Sequence, residues 1–328
     1  MRNRLPLDAM ILAIALQAGP LAAVPAAAQS FPSQPIKIVV PASAGGPNDI
    51  VARLAAQILP PKLGQPVVVE NRPGAGGALG SREVAKASPD GHTLLAAGGA
   101  MLAVLPAISE RAGYDPTRDF AAVAEFMDSF QILVVNPASP WRSVGELVAY
   151  AKANPGKLNY AHVGTGHITH LAGEMFMART GTSIVGVPYR SGGESVTAVL
   201  GQAVDLTFEN SALALPLIQE GKLRALALTS RARSTLAPDV PTMIEAGIPD
   251  YEVTTFFGIV APAATPRRVV DILNSAINAS LKTPEMKDAI TRLGAVPQAG
   301  SPADFAATIA LQFEKWRALG KAANIKID

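Results

Sequence analysis

Two glycine loops carry the residues best placed to do chemistry. The first is Ala42, Ser43, Ala44, Gly45, Gly46, Pro47, Asn48 and Asp49, which interrupts an apolar run at 36–40 and leads into a helical pattern. Ile50, Leu54 and Ile58 recur at four-residue spacing and are predicted to bury one helix face, with Asn48 or Asp49 as N-cap. A helix start seats an anion, because its first N–H groups have no intrahelical partner and carry the positive end of the helix dipole. Gly45 and Gly46 let a ligand approach the main chain closely. The second loop, Gly164, Thr165, Gly166, His167, Ile168 and Thr169, repeats the strand, loop, helix logic and adds two hydroxyls. One such loop in each half of the chain points to a carboxylate or phosphate held in a cleft between domains.

His167, His170 and Glu174 fall at i, i+3 and i+7, a spacing compatible with metal binding from one helix face. No residue nearby in sequence stands ready to orient either ring. Capping or packing by His170 and lining of the cleft by His167 are therefore preferred, and no metal is assigned. Gly74-Ala-Gly-Gly-Ala-Leu-Gly80 departs from the dinucleotide fingerprint, since Leu79 holds the last glycine position and Met101 and Leu102 stand where the acidic ribose ligand belongs. It reads as a turn that starts a helix. No serine lies in G-x-S-x-G, H-E-x-x-H is absent, and no lysine follows a glycine run as in a phosphate loop. No catalytic residue and no cofactor are assigned.

The elements that must position these loops alternate. Strands are predicted at 36–40, 66–70, 93–97, 132–136, 158–162, 183–187, 204–208, 222–229 and 256–260. Helices are predicted from 144 to 153, capped by Ser143 and stopped at Asn154-Pro-Gly156, and at 168–179, 194–200, 266–281, 284–293 and 302–319. This is an α/β pattern, a mostly parallel sheet flanked by helices, with a second α/β unit opening near residue 132.

Arg2 and Arg4 precede the apolar segment 10–16 and the small residues Ala26-Ala-Ala28, which together read as a secretory leader over 1–28. No later run reaches the ~20 apolar residues of a membrane helix. Cleavage near Ala28 leaves 300 residues, enough for two domains. Cysteine is absent, which excludes disulfides, a thiolate nucleophile and an N-terminal lipid on cysteine. A net charge of +2 without any dense basic run excludes nucleic acid as an expected partner. A periplasmic monomer is expected.

Several motifs together resemble one known family. They are Ile38-Val-Val-Pro41 with Gly45-Gly-Pro-Asn-Asp49, Val69-Glu-Asn-Arg-Pro-Gly-Ala-Gly-Gly77, Pro89-Asp-Gly91, His170-Leu-Ala-Gly-Glu174, Val187-Pro-Tyr-Arg190, Asp239-Val-Pro-Thr242 and Glu245-Ala-Gly247. In that order, over essentially the whole chain beyond the leader, they resemble the Bug family, the extracytoplasmic solute receptors of tripartite tricarboxylate transporters. The resemblance implies a two-lobed periplasmic-binding-protein fold of the type II kind, joined by strands crossing near 131–136 and 254–260. Lobe 1 would be discontinuous, 29–130 with 257–328, and lobe 2 would be 131–256. It further implies a small carboxylated metabolite held largely by main-chain N–H groups and ordered water, and inner-membrane permease subunits as partners.

Carried onto this sequence, the resemblance implies ligand contacts from Ala42, Ser43, Ala44, Gly45, Gly46, Asn48 and Asp49, and from Gly164, Thr165, Gly166, His167 and Thr169 across the cleft. Ala100, Met101, Tyr189, Arg190, Glu209, Asn210 and Phe256 would complete the lining. Four positions differ from the commoner family pattern: Ala42 replaces phenylalanine, His167 and Ile168 replace small hydroxyl residues, and Glu209 replaces aspartate. Ala42 is expected to enlarge its end of the pocket and admit a bulkier or aromatic acid. A periplasmic sensor that presents the same acid to a signalling receptor is the alternative. An exported enzyme ranks below both, because no nucleophile and base stand together.

Overall fold

Residues 31–322 are described by a computed structural model, and the leader read over 1–28 lies outside them. The chain begins β1 (Ile36–Val40), α1 (Pro47–Ile58), α2 (Pro60–Leu63), β2 (Val67–Asn71), α3 (Ala78–Ala85), β3 (Thr93–Gly98) and α4 (Leu105–Ile108). The long β4 (Phe120–Val135) follows, then α5 (Val144–Ala153), β5 (Asn159–His162), α6 (Ile168–Thr180), β6 (Val185–Pro188), α7 (Gly192–Leu200), β7 (Leu206–Asn210), α8 (Ser211–Gln219) and β8 (Arg224–Leu228). The last elements are β9 (Thr254–Pro262), α9 (Arg267–Leu281), α10 (Pro284–Arg292), β10 (Val296–Pro297) and α11 (Pro302–Ala322).

Strand order is β2-β1-β3-β9-β4-β7-β5-β6, with β8 and β10 also pairing β4. The outer ladders β2-β1-β3 and β7-β5-β6 are parallel, whereas every ladder of β4 and β9 is antiparallel. The parallel sheet of the sequence pattern is thus two parallel wings around an antiparallel centre. β4 belongs to both: Phe120 to Phe130 pair with β9, and Gln131 to Val135 pair with β7. This is the two-lobed periplasmic-binding-protein fold.

A single buried threonine ties the two passages between wings. Thr229 Oγ1 accepts from the Gln131 amide at 2.8 Å and lies 2.6 Å from the Val253 carbonyl, while the Val253 amide bonds the Thr229 carbonyl at 2.8 Å. The next residue, Thr254, already pairs with Phe130 in the other wing. Chain passages at 130/131 and 253/254 therefore share one side chain, and a β-branched hydroxyl residue suits it, being stiff at χ1 and able to both donate and accept.

Helices cover both faces of the first wing. α1 and α9 bury Val51, Ala55, Leu273 and Ile277 against Ile36, Ile38 and Val40. α11 lays Phe305, Ile309 and Trp316 on the opposite face, in a core that continues without a break to Phe176, Phe208 and Tyr251 of the second wing. The face predicted for α1 is rotated. Val51, Ala52, Ala55 and Leu59 are buried and Ile50, Leu54 and Ile58 only half-buried, because these branched side chains flank the stripe that the small alanines let approach the sheet. Its N-cap is Gly46, with Pro47 in the first turn, so neither Asn48 nor Asp49 caps it. Proline sets φ for the helix and lacks the N–H that would otherwise be orphaned there, which moves the cap two residues ahead of Asn48. By contrast α5 is capped as read, Ser143 Oγ accepting from the Glu146 amide at 3.2 Å.

Candidate functional site

The register along β4 brings the wings face to face. β3 ends at Gly98, opposite Phe257, which pairs with Met127. β7 ends at Asn210, opposite Gln131. β3 runs with β4 and β7 against it, so the two carboxyl ends point at each other across four residues of β4, about 13 Å at strand rise. In each wing the order reverses here: β1 lies between β2 and β3, and β5 between β6 and β7. The loops leaving β1 and β3 diverge, as do those leaving β5 and β7, which opens a crevice at each switch point. Both glycine loops open into this gap.

In the first wing Ser43, Ala44 and Gly45 are exposed and Ala42 and Gly46 half-buried. Gly45 needs its glycine, with φ +87°, whereas Gly46 at φ −83° has only the Ser43 carbonyl within 4 Å of the place a Cβ would take. The N-terminus of α1 has no side-chain cap, so its first-turn amides remain free to meet a ligand. Asn48 and Asp49 are buried beneath the loop and do not line its open side. Asp49 ties the loop down instead, accepting from the Gly45 amide at 2.9 Å, Arg53 Nε at 2.8 Å and Asn71 Nδ2 at 3.0 Å. The Arg53 bond leads in holding its carboxyl down at about 2. From the β3 end, Ala100 is exposed and Met101 half-buried, its sulfur 3.6 Å from Asn48 Nδ2.

In the second wing Gly164 (φ +86°) and Gly166 (φ +77°) shape a loop whose outer residues Thr165 and His167 are exposed. Thr169 is buried and turned inward, its hydroxyl accepting from the Val163 amide at 2.9 Å. His167 caps α6 through Nδ1, which accepts from the Thr169 amide at 3.3 Å. Crowding by protein around a ring still open to solvent, together with neighbouring His162, holds the His167 pKa down at about 4. His170 packs against His162 with ring centroids 4.7 Å apart and planes tilted by 52°, and lies 3.6 Å from Glu174, and burial lowers the pKa of both rings. Of the two roles allowed for His170, packing is the one it takes, while the cap of α6 is His167, which also faces the gap. No group of three metal-ligating side chains converges among the described residues.

Tyr189 is half-buried and Arg190 exposed at the start of α7, where the Arg190 amide donates to Glu194 Oε2 at 3.1 Å. Asn210 is half-buried, caps α8, and donates from Nδ2 to Ser129 Oγ at 2.6 Å in the middle of the gap. Glu209 is buried under Gly192, and burial pushes its carboxyl up to about 7. Phe256 is buried behind Gly99, its ring 3.5 Å from where a Cβ on that glycine would stand.

Sequence reasoning missed the floor. Ser129 and Gln131 on β4, and His162 at the end of β5, are buried polar side chains at the gap. Both polar atoms of Gln131, Glu209 Oε2, His162 Nδ1 and Asn48 Oδ1 lack a hydrogen-bond partner among the described residues. Buried polar groups are ordinarily paired with protein or with ordered water. Gln131 had a signal, a lone amide between Phe130 and Ile132 in an apolar strand.

Comparison with known proteins places this geometry. Residues 51–325 match the family model described as the tripartite tricarboxylate transporter family receptor, TctC. Protein BugT of Bordetella pertussis is 37% identical over 306 residues, 93% of this chain and 94% of its own. The solved periplasmic binding protein BugD has a TM-score of 0.72 at 34% identity, covering 90% of this chain and 99% of that one. Rpa4515 of R. palustris, solved with adipate, has a TM-score of 0.75 at 32% identity, with coverage of 90% and 99%.

Proposed function

The chain belongs to the tripartite tricarboxylate transporter receptor family, and from that premise we propose that it is a periplasmic receptor that encloses a small carboxylate between its wings and delivers it to permease subunits. The observation that carries the reading is the opposition of two glycine loops, one over the uncapped start of α1, across about 13 Å of β4. One helix terminus contributes roughly 0.3 to 1 kcal/mol to anion binding, so several donors and enclosure are required. Lobe closure about the passages at 130/131 and 253/254 would supply the enclosure.

In this reading Ser43, Ala44, Gly46, Ala100, Gly164, Thr165 and His167 face the ligand, and Asp49, Thr169 and Phe256 support the walls. Lobe 1 is formed by 31–130 and 254–322 and lobe 2 by 131–253, three residues shorter than the sequence reading because Thr254 to Phe256 pair with the first half of β4; a leader at 1–28 is removed. His167 is neutral at pH 7 and serves as a hydrogen-bonding wall, not as a counter-ion. Adipate bound by a relative of the same fold supports a dicarboxylate of that size class. The unpaired side-chain amide of Gln131 favours an acid that also carries a hydrogen-bond donor.

The test is a thermal-shift screen of the leaderless protein against dicarboxylates, hydroxy acids, aromatic acids and acidic amino acids. A ligand that binds only the native state adds about 2.7 kcal/mol of stability at a hundredfold excess over Kd. A saturable shift for one acid class is expected. No shift across the panel, with folded, ligand-free protein, would remove the carboxylate assignment.

A further inference from the structure

Behind the site, on the α11 side of the first wing, lies a second cavity of about 370 Å³. It is reached from neither glycine loop, and Phe256 forms the partition, one side against Gly99 and the other edge-on to Phe305 at 5.6 Å. Its wall carries four carboxylates: Glu125 and Asp128 from β4, Glu252 just before β9, and Asp304 from α11. The adjacent cations are both engaged with Glu252. Arg231 pairs with its carboxylate at 3.2 Å and Lys315 donates to its main-chain carbonyl at 2.9 Å. Asp128 accepts from the Gln298 amide at 2.9 Å and shares a hydrogen bond with Glu125, and Asp304 accepts from Ser301. A second feature is independent of the acids. Gln312 on α11 lines the cavity, is 6% exposed, and its Oε1 has no hydrogen-bond partner among the described residues.

We infer that this cavity is a binding site for a small organic ammonium ion with an apolar body, distinct from the carboxylate cleft. Two phenyl rings meet the apolar body and can add a cation–π contribution, while Asp128, Glu125 and the free amide oxygen of Gln312 accept from the ammonium group. A bare divalent ion fits less well, since no three ligating side chains converge among the described residues. Burial, and for Glu125 also the neighbouring Asp128, pushes Glu125 up to about 9 and raises Asp128, so a proton stands where the cation would. Binding of the ammonium ion therefore expels that proton.

Isothermal titration of the protein with benzylamine, using benzyl alcohol as the uncharged control, tests the site. Saturable binding of the amine alone is expected, tightening between pH 6 and pH 8 with proton release. Gln312→Leu removes the unpaired acceptor without cost to the empty fold, and Asp128→Asn removes charge. Each should weaken benzylamine tenfold or more while leaving the shift caused by the carboxylate ligand in place. Equal binding of benzyl alcohol, unchanged affinity in both variants, or displacement of the amine by adipate would each overturn the inference. None of these outcomes bears on whether the cleft binds an acid.

Discussion

Removing the Asp49 carboxylate should unfasten the first glycine loop, and the effect should depend on pH in a calculable way. Asp49→Ala deletes three hydrogen bonds, to the Gly45 amide, Arg53 and Asn71. Lowering of the carboxyl from 3.8 to about 2 bounds the charge contribution at about 2.5 kcal/mol at ~1.4 kcal/mol per unit. Arg53, its main partner, is more than half exposed, and solvent screening reduces this to about 1 to 1.5 kcal/mol. The two amide donors left behind add about 0.5 to 1.5 kcal/mol between them. The variant should therefore lose about 1.5 to 3 kcal/mol near pH 7 in urea denaturation. A depressed carboxyl contributes fully above the unfolded value and loses that contribution as pH falls through the native one. About half of the charge part should be gone by pH 3. The gap between wild type and variant should thus narrow from pH 6 to pH 3. A gap that is constant with pH, or smaller than 0.5 kcal/mol at pH 7, would refute the role given to Asp49.

Three further outcomes follow from the same geometry. Glu209 is an acid whose native value is raised from 4.5 to about 7, so it weakens the fold as pH rises through that window; Glu209→Gln should be about as stable as wild type at pH 4.5 and up to about 3 kcal/mol more stable at pH 8, read as melting temperature at the two pH values. Gly46→Val places its side chain in open space at an ordinary φ, so melting should change by less than about 1 kcal/mol while affinity for the acid identified by screening falls at least tenfold; unchanged affinity would move the site. Thr229→Val leaves the buried Gln131 amide and Val253 carbonyl without their hydroxyl partner and should cost about 2 to 4 kcal/mol in denaturation; a near-neutral result would mean that water replaces the hydroxyl.

Local signals were read well where the chemistry was local. Ser143, Val144 and Asn154 mark the limits of α5 because a cap, a periodic face and a stop all lie within its own residues. The turn at Gly74 to Gly80 likewise starts α3, with Gly77 at φ +98°. The start of α1 misled because Asn48 and Asp49 are both good caps by type, and Pro47 overrode them. The first half of β4 was not read as strand at all. Register shifts between Ala122 and Ala124 and between Glu125 and Met127 break the two-residue alternation that marks a strand.

What the sequence by itself determined is the alternation of strands and helices, the two glycine loops and the family, since these depend on residue types within a few positions of one another. The tertiary structure alone decided which of those residues face the gap. Asp49, Thr169 and Phe256 carry suitable chemistry but turn inward, because a loop's own amides and the packing of a neighbouring element compete for the same side chains as a ligand. It also decided that Ser129, Gln131 and Asn210 meet on one face of the gap and that Glu125, Asp128, Glu252 and Asp304 share a cavity. Those groupings are set by strand register and by helix docking between residues far apart in the chain, and no spacing along the sequence records them.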